Sequence, residues 1–300
     1  MNNYQRIFVA VDFSPTSDEA LRQAHLRASS TGAKLAVCHV VPNEIRSNVL
    51  FPNLGTKQAL NVPLQLERVT EKAVERVTEL TGRSSSDFDL LVTDGTPYAA
   101  ILTEAEKWLA DLVIVGSHGE TGTSAGLLGS VTNKVIRYAH CPVLVVRPVN
   151  PPGGIVVGTD FSDPALPAVK AAVQEAARTG AELTLVHSLD IAWTAASYPS
   201  MAFGAAPTRL SADEMRELDV AATERLLEVL TQLGVKGQPR VTQGPAGAAL
   251  IDIAKESRAR LLVVGTLGRT GLRRVLLGSV AETVTAGAPC SVLIVRIHPA

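Results

Sequence analysis

Two glycine-bearing stretches combine residue types suited to holding phosphate. DLVIVGSHGETGTSAGLLGSV runs from Asp111 to Val131 and RLLVVGTLGRTGLRRVLLGSV from Arg260 to Val280, with Gly116 and Gly265 about 149 residues apart. Each is an apolar, β-branched run ending in Gly-x-x-Gly, followed by nine residues and then Gly-Ser-Val at the opening of a predicted helix. Bare backbone N–H groups and a helix N-terminus thereby meet at the end of a buried strand, a place that suits phosphate. The pattern is not a P-loop, because no Gly-Lys-Ser/Thr follows, and the Gly-x-Gly-x-x-Gly dinucleotide fingerprint is also absent. A carboxylate accompanies each stretch: Asp12 in RIFVAVDFS and Asp160 in GIVVGTDFS close the predicted first strands. Beside a phosphate cradle, a carboxylate suits a ribose hydroxyl or a base amino group. Together these residues describe a mononucleotide site.

Such residues converge only if a sheet carries them to one end. The repeat reaches well beyond the glycine stretches: KLAVCHV (34–40) matches ELTLVHS (182–188), DGTP (94–97) matches QGPA (243–246), and CPVLVVRP (141–148) matches CSVLIVRI (290–297). A repeat of this length is a duplicated domain, since solenoid periods run to roughly 20–50 residues. The expected domains are 1–148 and 154–300, joined by a Pro- and Gly-containing linker. In the first copy strands are predicted near 6–12, 34–40, 88–93, 111–116 and 143–147, with helices near 16–30, 64–81, 97–110 and 129–138. The second copy repeats the order, with a long helix near 211–233. The strands are continuously apolar, as in a parallel sheet covered by helices on both faces. Right-handed crossovers then give a doubly wound α/β domain, whose ligands bind beyond the carboxyl ends of strands where strand order reverses. If strands one and four adjoin there, carboxylate and glycine loop face one crevice. Segments 41–62 and 188–208 fit neither period; each is read as a lid over the crevice or as a surface excursion or partner contact.

Bulk composition excludes several classes. Among 300 residues 46% are hydrophobic, enough for two cores, and the formal net charge is −1. No positive field points to nucleic acid, and 4% aromatic content argues against a stacking platform for single strands. No apolar run approaches the ~20 residues that span a bilayer, and the N-terminus lacks signal-peptide features. A soluble, cytoplasmic protein without membrane or nucleic-acid partners is expected. The three cysteines, Cys38, Cys141 and Cys290, show no metal spacing and read as small buried residues, with redox sensing as the alternative.

The quoted residues resemble the universal stress protein family in a tandem, two-domain form, and the resemblance covers nearly the whole chain. Its carriers are V-D-F-S and T-D-F-S after the first strands, both glycine motifs, and the V-L-V-V-R and V-L-I-V-R endings. The resemblance implies an open five-stranded parallel sheet of order 3-2-1-4-5 in each domain and ATP binding without efficient hydrolysis. By it, Asp12 and Asp160 contact the adenosine end, and backbone at Val40 and Ser188 meets adenine. Gly116, Gly119, Gly129, Ser130 and Val131 hold ribose and phosphates in the first copy; Gly265, Gly268, Gly278, Ser279 and Val280 do so in the second. Mg2+ or Mn2+ is expected to bridge the phosphates. It also implies dimerisation through last strands, so that 143–147 and 292–296 of one chain pair as an internal pseudo-dimer, with a homodimer of chains left open. The activity implied is that of a nucleotide-dependent stress-response regulator, not an enzyme. The competing reading is an interaction or structural stress protein whose crevices are empty or hold an apolar ligand.

The copies differ in charge. Arg269, Arg273 and Arg274 lie in the second loop, where the first has Glu120, Ser124 and Ala125, so the second site is expected to hold ATP more tightly. His118 has Leu267 as counterpart and is not expected to act as an acid or base. His39 and His187 read as structural residues near the crevice, and Ser14 and Ser162 as helix N-caps.

Overall fold

In the computed structural model the described residues are 4–42, 62–119, 128–147, 151–190, 211–266 and 277–296. Segments 43–61 and 191–210, which hold most of both candidate lids, lie outside them, as do loop residues 120–127 and 267–276. The chain divides into two compact units, Asn2–Pro148 and Val149–Ala300 apart from Met1.

The first unit runs β1 (Arg6–Val11), α1 (Pro15–Thr31), β2 (Lys34–Pro42), α2 (Val62–Thr81), β3 (Asp89–Gly95), α3 (Pro97–Lys107), β4 (Leu112–Gly116), α4 (Ser130–Tyr138) and β5 (Val143–Val146). Its strands lie in the order β3-β2-β1-β4-β5 and pair in parallel. The register sets Val11 opposite His39 and Val9 opposite Ile114, so β1 and β4 end together while β2 runs three residues further, to Pro42. Because β1 is followed by β2 on one side and meets β4 on the other, strand order reverses at the carboxyl end of β1, the place where doubly wound sheets take their ligands. Ile7, Phe8 and Val9, and Leu112, Val113 and Ile114 opposite them, are wholly inaccessible, which accounts for the continuous apolar runs. Helix α1 packs on α2, and α3 on α4.

The second unit repeats this as β6 (Ile155–Gly158), α5 (Leu166–Thr179), β7 (Leu183–Leu189), α6 (Ala212–Gln232), β8 (Gln238–Gln243), α7 (Ala246–Glu256), β9 (Leu261–Gly265), α8 (Ser279–Gly287) and β10 (Ser291–Val295). Strand order is β8-β7-β6-β9-β10, all pairs parallel. Both units thus have the expected doubly wound topology. Ser211 forms a capping box with Glu214, receiving its N–H at 3.2 Å while Ser211 N–H donates to Glu214 Oε2 at 2.7 Å.

Two local expectations need correction. Helix α3 stops at Lys107 rather than near 110, because Leu109 turns into the left-handed region (φ 58°) and Ala110 N–H reaches back to Ala105 O at 2.9 Å. Arg258 (φ 49°), with Ala259 N–H on Ala254 O, ends α7 in the same way. Ser14 does cap α1, accepting from Ser17 N–H at 3.3 Å, but the Ser162 side chain caps nothing. An α-helix beginning at Asp163 needs an N–H at residue 167, and Pro167 has none. A 3-10 turn over Asp163–Ala165 therefore precedes α5.

The cysteines are buried and form no disulfide. Burial, with Glu104 nearby, pushes the Cys38 thiol up to about 12. Native protein is expected to resist thiol reagents at pH 8 and to react at Cys38 only after unfolding. Above the ordinary thiol value the unfolded state loses this proton and the folded state keeps it. Stability from Cys38 is therefore present below pH 9 and lost as pH rises toward 12. Rapid labelling of folded protein would overturn this. Among the described residues no helix is long and apolar enough to cross a membrane.

Candidate nucleotide site

The second unit holds a cleft of about 460 Å³ at the carboxyl ends of its strands, within the range of small-molecule sites. β6 delivers Asp160 to it, β7 delivers His187 and Ser188, β9 delivers Gly265, and the start of α8 delivers Gly278, Ser279 and Val280. Six of the expected second-copy residues thus share one cavity: Asp160, Ser188, Gly265, Gly278, Ser279 and Val280. Gly268 and Arg269 lie outside the described residues. Ala246, Ala248, Leu250 and Val264 add an apolar wall.

Asp160 sits just past β6, its Oδ1 accepting Ser162 N–H at 3.0 Å and Ser162 Oγ–H at 2.5 Å. The Ser188 hydroxyl donates to Gly244 O at 2.5 Å. Gly278 precedes α8 with extended backbone (φ −66°, ψ 153°) and supplies no side-chain cap. The first-turn N–H groups of α8 therefore have no side-chain acceptor from the cap position, unlike those of α1 and α6. A Cβ on Gly278 would stand 3.0 Å from Thr266 O, close enough that the backbone would have to give by a few tenths of an ångström.

The first unit builds the same parts. Asp12 Oδ1 accepts Ser14 N–H at 3.1 Å and Ser14 Oγ–H at 2.6 Å. Gly129 precedes α4 with no side-chain cap, and its N–H donates to Ser117 O at 2.8 Å. A Cβ on Gly129 would stand 3.2 Å from His118 Cα, and one on Gly116 would stand 2.9 Å from Thr16 Oγ1. At Gly119 a Cβ would run into Asp12 Oδ2, so the carboxylate would have to turn aside. Strands β1 and β4 adjoin, and the Asp12 carboxylate and Gly119 are therefore neighbours. The Thr16 hydroxyl donates to His118 O, a tie between helix start and loop that the sequence did not signal. Ser130 and Val131 open α4, and Val40 lies in β2 one residue past His39, paired in register with Thr93.

The universal stress protein family model matches residues 3–147 and again 154–296. The chain belongs to the universal stress protein family. Universal stress protein Rv2005c of Mycobacterium tuberculosis is 29% identical over 310 residues, spanning 97% of this chain and 96% of that protein. Universal stress protein MJ0531 of Methanocaldococcus jannaschii is 33% identical over 146 residues, spanning 49% of this chain and 84% of its own length. A universal stress protein structure from Archaeoglobus fulgidus aligns with a TM-score of 0.67 at 19% identity, covering 97% of this chain and 98% of that one, and shares its fold.

Within this universal stress protein the copies also differ away from the glycine loops. Gly247 and Thr283 line the second cleft, in the first turn of α7 and the second turn of α8. The equivalent residues of α3 and α4 are Tyr98 and Lys134, with the Lys134 ammonium 4.4 Å from the Tyr98 ring centre. Sequence reasoning also missed Phe13 and Phe161, each in the left-handed region beside the site aspartate (φ 65° and 63°). The one available signal was their repetition between Asp and Ser.

Proposed function

We propose that this universal stress protein binds adenine nucleotide, ATP foremost, and works as a nucleotide-dependent stress regulator rather than a catalyst. The observation that carries the reading is the convergence of Asp160, the Gly265 turn and the uncapped start of α8 on one cleft of about 460 Å³. The glycines leave backbone N–H groups for phosphate, the carboxylate suits ribose or base, and the apolar wall suits a purine ring. No cluster of three or more His, Cys, Asp or Glu able to hold a metal occurs among the described residues. Mg2+ or Mn2+ would accordingly be held chiefly by the nucleotide's phosphates.

The second site is read as the tighter one. Its loop carries Arg269, Arg273 and Arg274 in sequence, and its cleft has Gly247 and Thr283 where the first unit has Tyr98 and Lys134. ATP in excess of its dissociation constant would stabilise the folded form by about 2.7 kcal/mol at a hundredfold excess. Native mass spectrometry of freshly purified protein, followed by calorimetric titration with ATP and Mg2+, tests the reading. Expected are an adenine nucleotide carried through purification, heat of binding, and loss of second-site affinity in Asp160→Ala. A chain that carries no nucleotide and gives no heat of binding would favour the interaction-protein reading.

A further inference from the structure

We propose that His187, and His39 in the first unit, are positioning residues for the site aspartate: each brackets it and holds the turn that aims its carboxylate into the crevice. The proposal rests on the nucleotide reading above for its functional consequence. Phe13 and Phe161 follow the aspartates directly and adopt φ 65° and 63°. A bulky side chain occupies the left-handed region only where its surroundings hold it there. In both units the same histidine makes that hold from two sides. Its Nδ1 lies 2.9 Å from the carbonyl oxygen of the residue before the aspartate, Val11 O for His39 and Thr159 O for His187. A carbonyl brings no proton, so Nδ1 carries the hydrogen and donates it. The ring packs on the phenylalanine after the aspartate, at 4.6 Å between centroids for Phe13 and 4.3 Å for Phe161. One side chain thus fixes the residues on either side of Asp12 or Asp160. The next residue, Ser14 or Ser162, then directs its N–H and Oγ–H to the carboxylate.

The arrangement is built twice from otherwise different neighbours. The residue before the aspartate is Val11 in one unit and Thr159 in the other, and the helix that follows starts directly in one and through a 3-10 turn in the other. What stays constant is the histidine, the phenylalanine, the carboxylate and the serine that bonds it. In the second unit His187 and Asp160 both line the cleft. A flat ring with a donor at the δ position satisfies both requirements, and histidine supplies both.

The two requirements can be separated in the full-length protein. His187→Phe keeps a ring and removes the donor; His187→Asn keeps a donor near the δ position and removes the ring. Each is expected to weaken second-site ATP affinity about tenfold, the scale set by losing the hold on one left-handed residue, with the melting temperature little changed. In an Asp160→Ala background neither change should weaken binding further, because the histidine acts through that carboxylate. Equal losses with and without Asp160, or undiminished affinity in both variants, would overturn the proposal. The Ser162 amide proton gives a second readout that needs no nucleotide. Donated to Asp160 Oδ1, it should shift upfield in the NMR spectrum of both variants, and an unmoved resonance overturns the proposal. If the wild-type chain binds no ATP, the nucleotide reading fails and the amide shift still decides this one. Should a His187 variant unfold, His39→Asn read at the Ser14 amide serves the same purpose.

Discussion

A Gly119→Val variant is expected to lose first-site nucleotide affinity by about 10- to 100-fold, the value of a hydrogen bond to a charged group, while the second site is unaffected. The reason is steric and local. Gly119 follows β4 in the glycine turn, and a Cβ there would overlap Asp12 Oδ2. The carboxylate would have to leave the orientation in which Ser14 N–H and Oγ–H hold it, at 3.1 and 2.6 Å. Calorimetric titration in a Gly278→Asp background, which sets an anion where the second cradle is proposed to hold phosphate, isolates the first site. The double change Asp12→Ala with Gly119→Val should then be no weaker than the worse single change, since the two act on one contact. Unaltered first-site binding in Gly119→Val would mean that Asp12 and the glycine turn do not share a ligand.

Phe8→Ala is expected to destabilise the first unit by about 3–5 kcal/mol, the usual result of emptying a buried aromatic site. Phe8 is wholly inaccessible in the central strand β1, with β2 and β4 on either side. Its ring lies 6.4 Å from that of Trp108, whose indole also has the Arg6 guanidinium 4.2 Å from its centre and donates Nε1–H to Asp89 at 2.8 Å. Parallel strands held by helices on both faces leave little room for collapse into the cavity. Urea unfolding followed by Trp108 fluorescence, with Trp193→Phe removing the second indole, reports on this unit. The midpoint should fall with little change in slope; a loss below about 1 kcal/mol would show that the site refills. The second unit has Val156 and Ser257 at the corresponding positions, so its core is closed without this aromatic pair.

Much of the molecule was legible before its structure, for identifiable reasons. β-branched runs without polar alternation announced strands covered on both faces, as β1 and β4 are. The duplication of entire motifs announced two similar units, and glycines spaced after a strand announced a backbone cradle. These are properties of types and spacing, and the sequence by itself determined them. Strand order came from family resemblance, since local patterns do not encode which strands adjoin.

What only tertiary structure decided involves residues distant in sequence. Gly119 leaves room for the carboxylate of Asp12, a hundred residues away, which occupies the space a Cβ would need and would have to turn aside for one. Thr16 reaches the carbonyl of His118 across the same distance. Ser162 looked like a second helix cap by analogy with Ser14, but Pro167 removes the N–H that an immediate α-helix would use. His39 and His187 read as structural from sequence; their partners on either side of the aspartates emerged only when β2 lay against β1 and β7 against β6. The left-handed Phe13 and Phe161 show the division most clearly. No local preference places phenylalanine there, and the ring contact common to both comes from the histidine of the neighbouring strand, with Lys72 of α2 added over Phe13. The sequence supplied carboxylate, glycines and histidines in the right order, and packing of the sheet decided which atoms meet.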